Sequence, residues 1–440
     1  MELIKYINNG FHLPPVQIRQ IMEDFRSEMI CGLAAKKSSL KMIPSYADIS
    51  NGREKGKFIS LDLGGTNFRI LLVELKGKGK IIKLSERKIV LERKYTRGRG
   101  EGLFDFIAGC IKDFIRAEAI DMQKKYALGF TFSFPVSQTG IASGILVHWT
   151  KGFSAKGVAG KDVVLLLNEA LARQGISNIS VAALVNDTVG TLVARSYRDH
   201  NCDIGVILGT GTNACYREKV LNILKWKGRK NPGANMVVNI EWGNFNKITP
   251  TIYDKLLDEC SVNPGQQILE KMVSGMYLSE IARLIIRDFI EKKILFGGLS
   301  LSAFDGAQCF KAEYMSRIET DRTSRLSGIN SLLKELGVLK SSFEDRRHIK
   351  KICNLVAKRA ANISAAVLAG VITKIDRNLS RRHIVAVDGT VYEKYPGFSG
   401  NMKFALRRIF GKSSNKIKMV LTKDGSGIGA AVIAAVAKGV

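Results

Sequence analysis

The sequence predicts an α/β protein built from two domains, and three observations carry that prediction. The chain has 440 residues, enough for two cores of ordinary size. Short β-rich apolar runs alternate along it with segments of helical periodicity. One local pattern, a strand, a glycine-rich polar turn and a second strand, occurs at residues 58–75 and again at 203–216, about 145 residues on. Such a repeat reads as a duplicated unit gripping one ligand from two sides.

The turns carry the chemistry. In the first, Gly64-Gly65-Thr66-Asn67 joins the apolar runs 58–61 and 70–73 as a hairpin. Adjacent glycines leave backbone N–H groups open to an anion, Thr66 and Asn67 add donors, and Arg69 adds a fixed charge. Asp62 would repel bare phosphate, so it makes most sense facing a phosphate-bound cation. Together these residues suggest a nucleoside triphosphate with Mg²⁺. An ordinary hairpin with a surface Asp is the bland alternative. The second turn, Gly209-Thr210-Gly211-Thr212-Asn213, shifts the balance toward the nucleotide.

Composition sets further bounds. Apolar residues make up 45% of the chain, and 42 glycines against 8 prolines favour tight turns over disordered linkers. No run approaches the ~18 uncharged apolar residues of a membrane span. The N-terminal residues lack the apolar core of a signal peptide. Seven scattered cysteines without a Cys-x-x-Cys pair argue for reduced thiols in a cytoplasmic protein and against zinc. With 68 basic and 40 acidic residues the net charge is +28, concentrated in 76–80, 93–99, 225–230 and 407–423. These runs, poor in aromatics apart from Trp226, read as solvated surface whose field favours polyanions such as ATP. Contact with nucleic acid or an anionic membrane is the other reading.

Taken in order, residues 15–33 form an amphipathic helix with Ile18, Met22, Phe25, Met29 and Leu33 on one stripe. Residues 102–119 are helical in pattern, and 127–134 form a strand ending at Pro135. The loop 144–153 places Trp149, Thr150 and Lys151 between glycines, either to hold a polar ligand or as a capped turn starting a helix. His148 reads as structural. Strand 180–185 ends in Asn186 and Asp187 before a helix over 190–197. That Asp suits chemistry at a strand's carboxyl end, and it also suits an N-cap. Glu241 ends another strand, and one helix runs from 263 through Glu270 towards 287. Such Asn, Asp and Glu residues at separate strand ends suit a polyol. A helix over 352–375 buries Leu355, Ile363, Val367 and Val371. Strand 384–387 leads into Asp388-Gly389-Thr390, and strand 418–422 into Asp424-Gly425-Ser426-Gly427 and a final helix. Gly411-Lys412-Ser413 lacks the first glycine of a P-loop.

These motifs occur in an order that resembles the eukaryotic-type hexokinase family along nearly the whole chain. The resemblance runs from Ser39-Leu-Lys-Met-Ile-Pro-Ser45 through Leu61-Asp-Leu-Gly-Gly-Thr-Asn-Phe-Arg69, Thr131-Phe-Ser-Phe-Pro135 and Trp149-Thr-Lys-Gly-Phe153. It continues through Asn186-Asp-Thr188, Gly209-Thr-Gly211, Glu241-Trp-Gly243 and Asn263-Pro-Gly-Gln-Gln267, and closes with Asp388-Gly389 and Asp424-Gly-Ser-Gly427. It implies an actin-like, ribonuclease-H-like ATPase fold with a cleft between a small lobe (57–186 plus 425–440) and a large lobe (1–56 plus 187–424). It also implies ATP-dependent phosphorylation of a hexose, by a monomer or homodimer.

By the resemblance the sugar is held by Ser133, Thr150, Lys151, Asn186, Asp187, Asn213, Glu241 and Glu270. Asp187 is the general base, with Lys151 and Arg69 stabilising developing charge and Asp62 orienting Mg²⁺. Gly64, Gly65, Thr66, Asn67, Arg69, Gly209, Thr210, Gly211 and Ser316 face the phosphates of ATP, and Gly389 and Thr390 border the adenosine. Closure of the lobes on sugar excludes water as a competing nucleophile. Two departures from the family pattern are Ala312 in place of Thr and Lys423 in place of an acid. A catalytically weak sugar sensor of the same family is the alternative expectation.

Overall fold

The computed structural model describes residues 7, 10–64, 67–150, 152–298, 304–307 and 309–439. Helix α1 (Pro15–Leu33) begins at a proline, which suits the first helical position, and buries its predicted stripe. A short strand β1 (Ile43–Pro44) follows. Strands β2 (Lys55–Leu63), β3 (Asn67–Lys76) and β4 (Ile81–Val90) form an antiparallel meander. Helix α2 (Gly100–Ala117) then leads to β5 (Tyr126–Phe132), parallel to β2. A small hairpin, β6 (Val136–Gly140) and β7 (Ser143–Leu146), precedes α3 (Val163–Arg173) and β8 (Ile179–Val185). The resulting sheet has the order β4-β3-β2-β5-β8. Residues 58–63 are all buried because both faces of the sheet are covered. Leu103, Phe104, Ile107 and Leu167 of α2 and α3 pack on one face.

After α4 (Asp187–Arg198) the plan repeats. Strands β9 (Cys202–Leu208), β10 (Thr212–Lys219) and β11 (Asn235–Asn239) form a second antiparallel meander. A helical region follows, with α5 (Ile252–Glu259), α6 (Ile268–Val273), α7 (Gly275–Glu291), α8 (Ala312–Thr320), α9 (Ser327–Glu335) and α10 (Phe343–Ile375). Strand β12 (His383–Asp388) lies parallel to β9, and after α11 (Phe398–Phe410), β13 (Ile417–Leu421) lies parallel to β12. The order is β1-β11-β10-β9-β12-β13, which without β1 is the order and direction of the first sheet. The duplication seen in two turns therefore extends to two whole sheets.

The last helix, α12 (Gly425–Lys438), returns to the first sheet. A Cβ on Gly129 of β5 would lie 2.1 Å from the Ala430 carbonyl oxygen, so only glycine admits this approach. Ser60 and Thr131 donate to the carbonyls of Gly427 and Ser426 at 2.6 and 3.0 Å. Helix α12 also crosses α4 in backbone contact, for a Cβ on Gly429 would come within 1.9 Å of the Gly190 carbonyl oxygen.

Several expectations need correction. The helix expected over 190–197 begins at Asp187. Its N-cap is Asn186, whose Oδ1 accepts the Thr188 N–H at 3.0 Å. Neighbouring Asn and Asp are both capping types, and sequence alone cannot choose between them. The single helix expected over 263–287 is two, separated at Ser274, whose backbone is extended. The break frees the N–H groups of Gly275 and Met276 for the carbonyls of Gly209 and Thr210, at 2.8 and 3.2 Å. Helix α10 begins nine residues earlier than expected, at a capping box of Ser342 and Asp345, because its first turns are charged rather than apolar. By length and composition α10 could cross a membrane, but 89% of its apolar window is buried inside the fold. Leu355 is only half-buried. The helix expected over 102–119 spans 100–117. The strand expected over 127–134 stops at Phe132, since Phe134 turns into an aromatic cluster. Loop 144–153 does not start a helix, as α3 begins at Val163 under an Asp162 cap. His148 is exposed.

Candidate active site

The carboxyl ends of the strands in both sheets gather most of the expected residues. At the end of β11 the chain turns through Glu241 in left-handed conformation, φ 56°. Asn213 Nδ2 donates to Glu241 Oε1 at 3.0 Å and to Asn239 Oδ1 at 2.9 Å, and Asn239 Nδ2 donates to the same Glu241 oxygen at 2.9 Å. Beside them, Glu270 Oε2 accepts the Thr212 N–H at 2.9 Å. Gly243 packs closely there, for a Cβ would stand 2.3 Å from Gln267 Oε1 and 3.4 Å from the Thr212 carbonyl oxygen. This cluster of two carboxylates and two amides is pre-aligned for hydroxyl groups.

Asp187 occupies the first position of α4, where helix N–H groups favour a negative charge. Its Oδ1 accepts from Thr188 N–H at 2.8 Å, and its backbone carbonyl from Thr191 Oγ1 at 2.9 Å. It stands close enough to Asp388, at the end of β12, for their charges to interact. Burial, joined by the charges of Asp187 and Asp424, pushes the Asp388 carboxyl above its ordinary range. The Gly389 N–H, which donates at 2.7 Å, and Arg69 act in the opposite direction. Ends of β8 and β12 and the start of α12 therefore converge.

The first glycine turn is ionic. Arg69 Nη2 donates to Asp62 Oδ2 at 2.6 Å and its Nη1 to Asp424 Oδ1 at 2.7 Å. Ser426 Oγ donates to Asp62 Oδ2 at 2.8 Å, and Lys83 Nζ bridges Asp424 and Glu86 at 2.9 and 2.7 Å. Burial works against the Arg69 charge, but Asp62 and Asp424 outweigh it and hold the guanidinium firmly ionised. Burial likewise opposes the charge of Asp424, and Lys83 and Arg69 hold its carboxyl below the ordinary range. Gly64 N–H closes the turn on the Asn67 carbonyl at 3.1 Å.

The second turn is held by backbone. Gly209 N–H donates to the Gly211 carbonyl at 3.0 Å. Gly389, at φ 115°, would place a Cβ 2.3 Å from the Leu208 carbonyl oxygen, so the ends of β9 and β12 touch through glycine. Thr210 and Thr390 are exposed at this edge.

Other expected residues are placed less centrally. Ser133 N–H donates to the Leu63 carbonyl at 3.3 Å, beside the first turn. Thr150 is half-buried next to Trp149, which stacks on Phe153 at 5.1 Å and meets Phe134 edge-on at 4.9 Å. Ser316, within α8, turns its hydroxyl back to the Ala312 carbonyl at 3.3 Å. Gly65, Thr66 and Lys151 lie outside the described residues. The structure adds Asn239, Asp388, Asp424 and Ser426, all within motifs visible in the sequence, and Lys83 and Glu86, for which the sequence carried no signal.

The donor set suits a divalent cation that arrives with phosphates. Among the described residues no group of three His, Cys, Asp or Glu side chains could hold a metal alone. Asp62 Oδ1, by contrast, makes no hydrogen bond among the described residues, leaving it to serve a phosphate-bound ion, directly or through water.

A carboxylate at a helix start, a cluster of two carboxylates and two amides, and two glycine turns in one repeated plan suit an ATP-dependent phosphotransferase. Comparison with known proteins gives the family. Hexokinase family models match residues 3–197 and 203–436. Hexokinase-2 of Oryza sativa subsp. japonica is 44% identical, over 96% of this chain and 88% of its own. Hexokinase-1 of Mus musculus is 40% identical over 97% of this chain, which spans 44% of that longer protein. Among solved structures, a Schistosoma mansoni hexokinase complexed with glucose superposes with a TM-score of 0.89 at 38% identity, over 99% of this chain and 98% of that one. The chain belongs to the hexokinase family, and its activity is the ATP-dependent phosphorylation of a hexose.

Proposed function

We propose that the hexose is glucose, phosphorylated at its 6-hydroxyl to feed glycolysis, and that Asp187 is the general base. The observation that carries this reading is the placing of Asp187. It lies at the N-terminus of α4, within electrostatic reach of Asp388, while Asn213 and Glu241 at strand ends and Glu270 on α6 offer polar partners. The glucose complex of the Schistosoma mansoni relative supports the choice of sugar.

In this reading Asn186, Asn213, Glu241 and Glu270 hold the sugar hydroxyls, with Ser133, Thr150 and Lys151 closing the other side. Asp187 accepts the proton of the attacking hydroxyl as its oxygen bonds to the γ-phosphorus and the bond to ADP breaks. Arg69 and Lys151 balance charge on the transferring group, and the N–H groups of the two glycine turns, with Thr66, Asn67, Thr210 and Ser316, face the phosphates. Gly389 and Thr390 border the adenosine. Mg²⁺, oriented by Asp62, would neutralise phosphate charge. The lobes are 57–186 with 425–440 and 1–56 with 187–424, and their closure excludes water. The described cysteines are all unbridged, which supports a reducing, cytoplasmic setting.

The test is ADP formation from MgATP with and without glucose, alongside Asp187→Ala. Glucose is expected to stimulate turnover, and the variant to bind glucose while losing at least ~10²-fold in kcat. Near-normal turnover in the variant would remove Asp187 from the role. Stronger stimulation by mannose or fructose would remove glucose as the preferred sugar.

A further inference from the structure

Two loops distant in sequence form one strongly basic face. Lys36, Lys37 and Lys41 follow α1, and Lys225, Lys227, Arg229 and Lys230 lie between β10 and β11. Backbone N–H of Lys225 donates to the Leu33 carbonyl at 3.0 Å, and its Nζ donates to the Lys41 carbonyl at 2.5 Å. Tyr46, two residues beyond β1, packs edge-on against Trp226 at 4.9 Å and fixes the second loop there. Residues 34–41 and 219–234 contain no Asp or Glu. Glu28, the acid bound to the first loop, is turned onto Ser38 and Ser39.

The face is not merely charged. Ile223 is fully buried and anchors the second loop, while Leu221 and Leu224 on either side of it are 48% and 62% exposed. Lysines ringing exposed leucines match the two attractions of an anionic bilayer, headgroup charge and a shallow apolar layer. Nucleic acid would use the cations but gain little from leucines, and the Trp226 ring already packs on Tyr46 instead of being free to stack on a base.

The placement also fits. The loop leaves β10 at Lys219, and Asn213 of the sugar cluster lies near the strand's other end. At ~3.3 Å per residue the two are about 20 Å apart, so contact at one end leaves the other open. We infer that this face docks the protein on anionic phospholipid surfaces, through Lys36, Lys37, Lys41, Lys227, Arg229 and Lys230 with Leu221 and Leu224 entering the headgroup layer. The inference does not depend on which sugar is phosphorylated.

Co-sedimentation of the full chain with vesicles tests it. At ~0.15 M salt, binding is expected to vesicles of phosphatidylcholine with about 30% phosphatidylserine, but not to phosphatidylcholine alone. Replacing Lys227, Arg229 and Lys230 with Glu (K227E, R229E, K230E) should weaken binding at least ~10-fold. Leu221→Ser with Leu224→Ser should weaken it several-fold, and both variants should phosphorylate hexose normally. Absence of native binding to anionic vesicles would overturn the inference. So would full binding by the leucine variant, which would reduce the face to general charge attraction. Tighter binding to a single-stranded RNA oligonucleotide than to vesicles would reassign it to nucleic acid.

Discussion

The two glycine turns share a strand-turn-strand plan yet are held by different forces. The first depends on charge, with Arg69 clasped between Asp62 and Asp424, and Lys83 beyond them. The second depends on shape, with Gly389 pressed on Leu208 and the start of α7 hydrogen-bonded to Gly209 and Thr210. Duplication thus preserves a backbone more readily than the interactions that stiffen it. The first turn is therefore the one expected to answer to a ligand's charge, and the second is expected to act as a rigid wall.

Removing the clasp should give the largest difference between the two turns. Arg69→Ala is expected to lower kcat/KM about 10²-fold, the scale of losing one preorganised charge, and Arg69→Lys to recover little, since one ammonium cannot reach both carboxylates as the guanidinium fork does. Steady-state kinetics would check this, and near-normal activity in Arg69→Lys would show that the fork geometry is unnecessary. Gly389→Val should act mainly on stability. A branched residue at φ 115° and 2.3 Å from a carbonyl is expected to cost about 3 kcal/mol or more, read as a lower midpoint in urea. An unchanged midpoint would mean that the strand ends part easily and that the second turn is not a rigid wall.

The smallest effect concerns the far end of the second sheet. There buried His383 lies between Asp203 and Asp376, its Nδ1 and Nε2 at 2.8 and 3.2 Å from their oxygens. Burial opposes the Asp376 charge, but the Arg381 N–H, the Ser380 hydroxyl and His383 hold its carboxyl down to about 2. A depressed carboxylate stabilises the fold above its unfolded value, near 4, and that contribution fades as pH falls through 2. Asp376→Asn should therefore lower stability slightly at pH 6, and the gap to the native protein should narrow between pH 4 and pH 2. A gap that stayed constant over that range would rule the carboxylate out as the cause.

Much of this arrangement was legible in the sequence because its signals are local. Both hairpins followed from apolar runs flanking glycine, and α1 from one five-residue stripe starting at a proline. Asn213 and Glu241 stood in motifs at strand ends and Glu270 in a helical pattern, and the structure joins the first two directly and sets Glu270 against the adjoining Thr212. What stayed hidden is long-range. The Asp424–Arg69 contact spans 355 residues, and the pull of Lys83 on that Asp comes from an edge strand with no motif. The break at Ser274 was invisible because it answers to Gly209, a residue brought near only by folding. The local bond from the Ser316 hydroxyl to the Ala312 carbonyl likewise had no signal in the sequence.

The crossing of α4 and α12 has a mechanical consequence. Where two helices meet with only glycine between their backbones, neither can slide without the pair separating, but each can turn about the point of contact. That point lies at Gly190 and Gly429. Asp187 is three residues from the first and Ser426 three from the second, about 4.5 Å along each axis. In the lobe closure proposed above, this contact would be the fulcrum, with Asp187 and Ser426 on the short arm of the lever. Such closure would then carry large travel at the rim into small travel near Asp187.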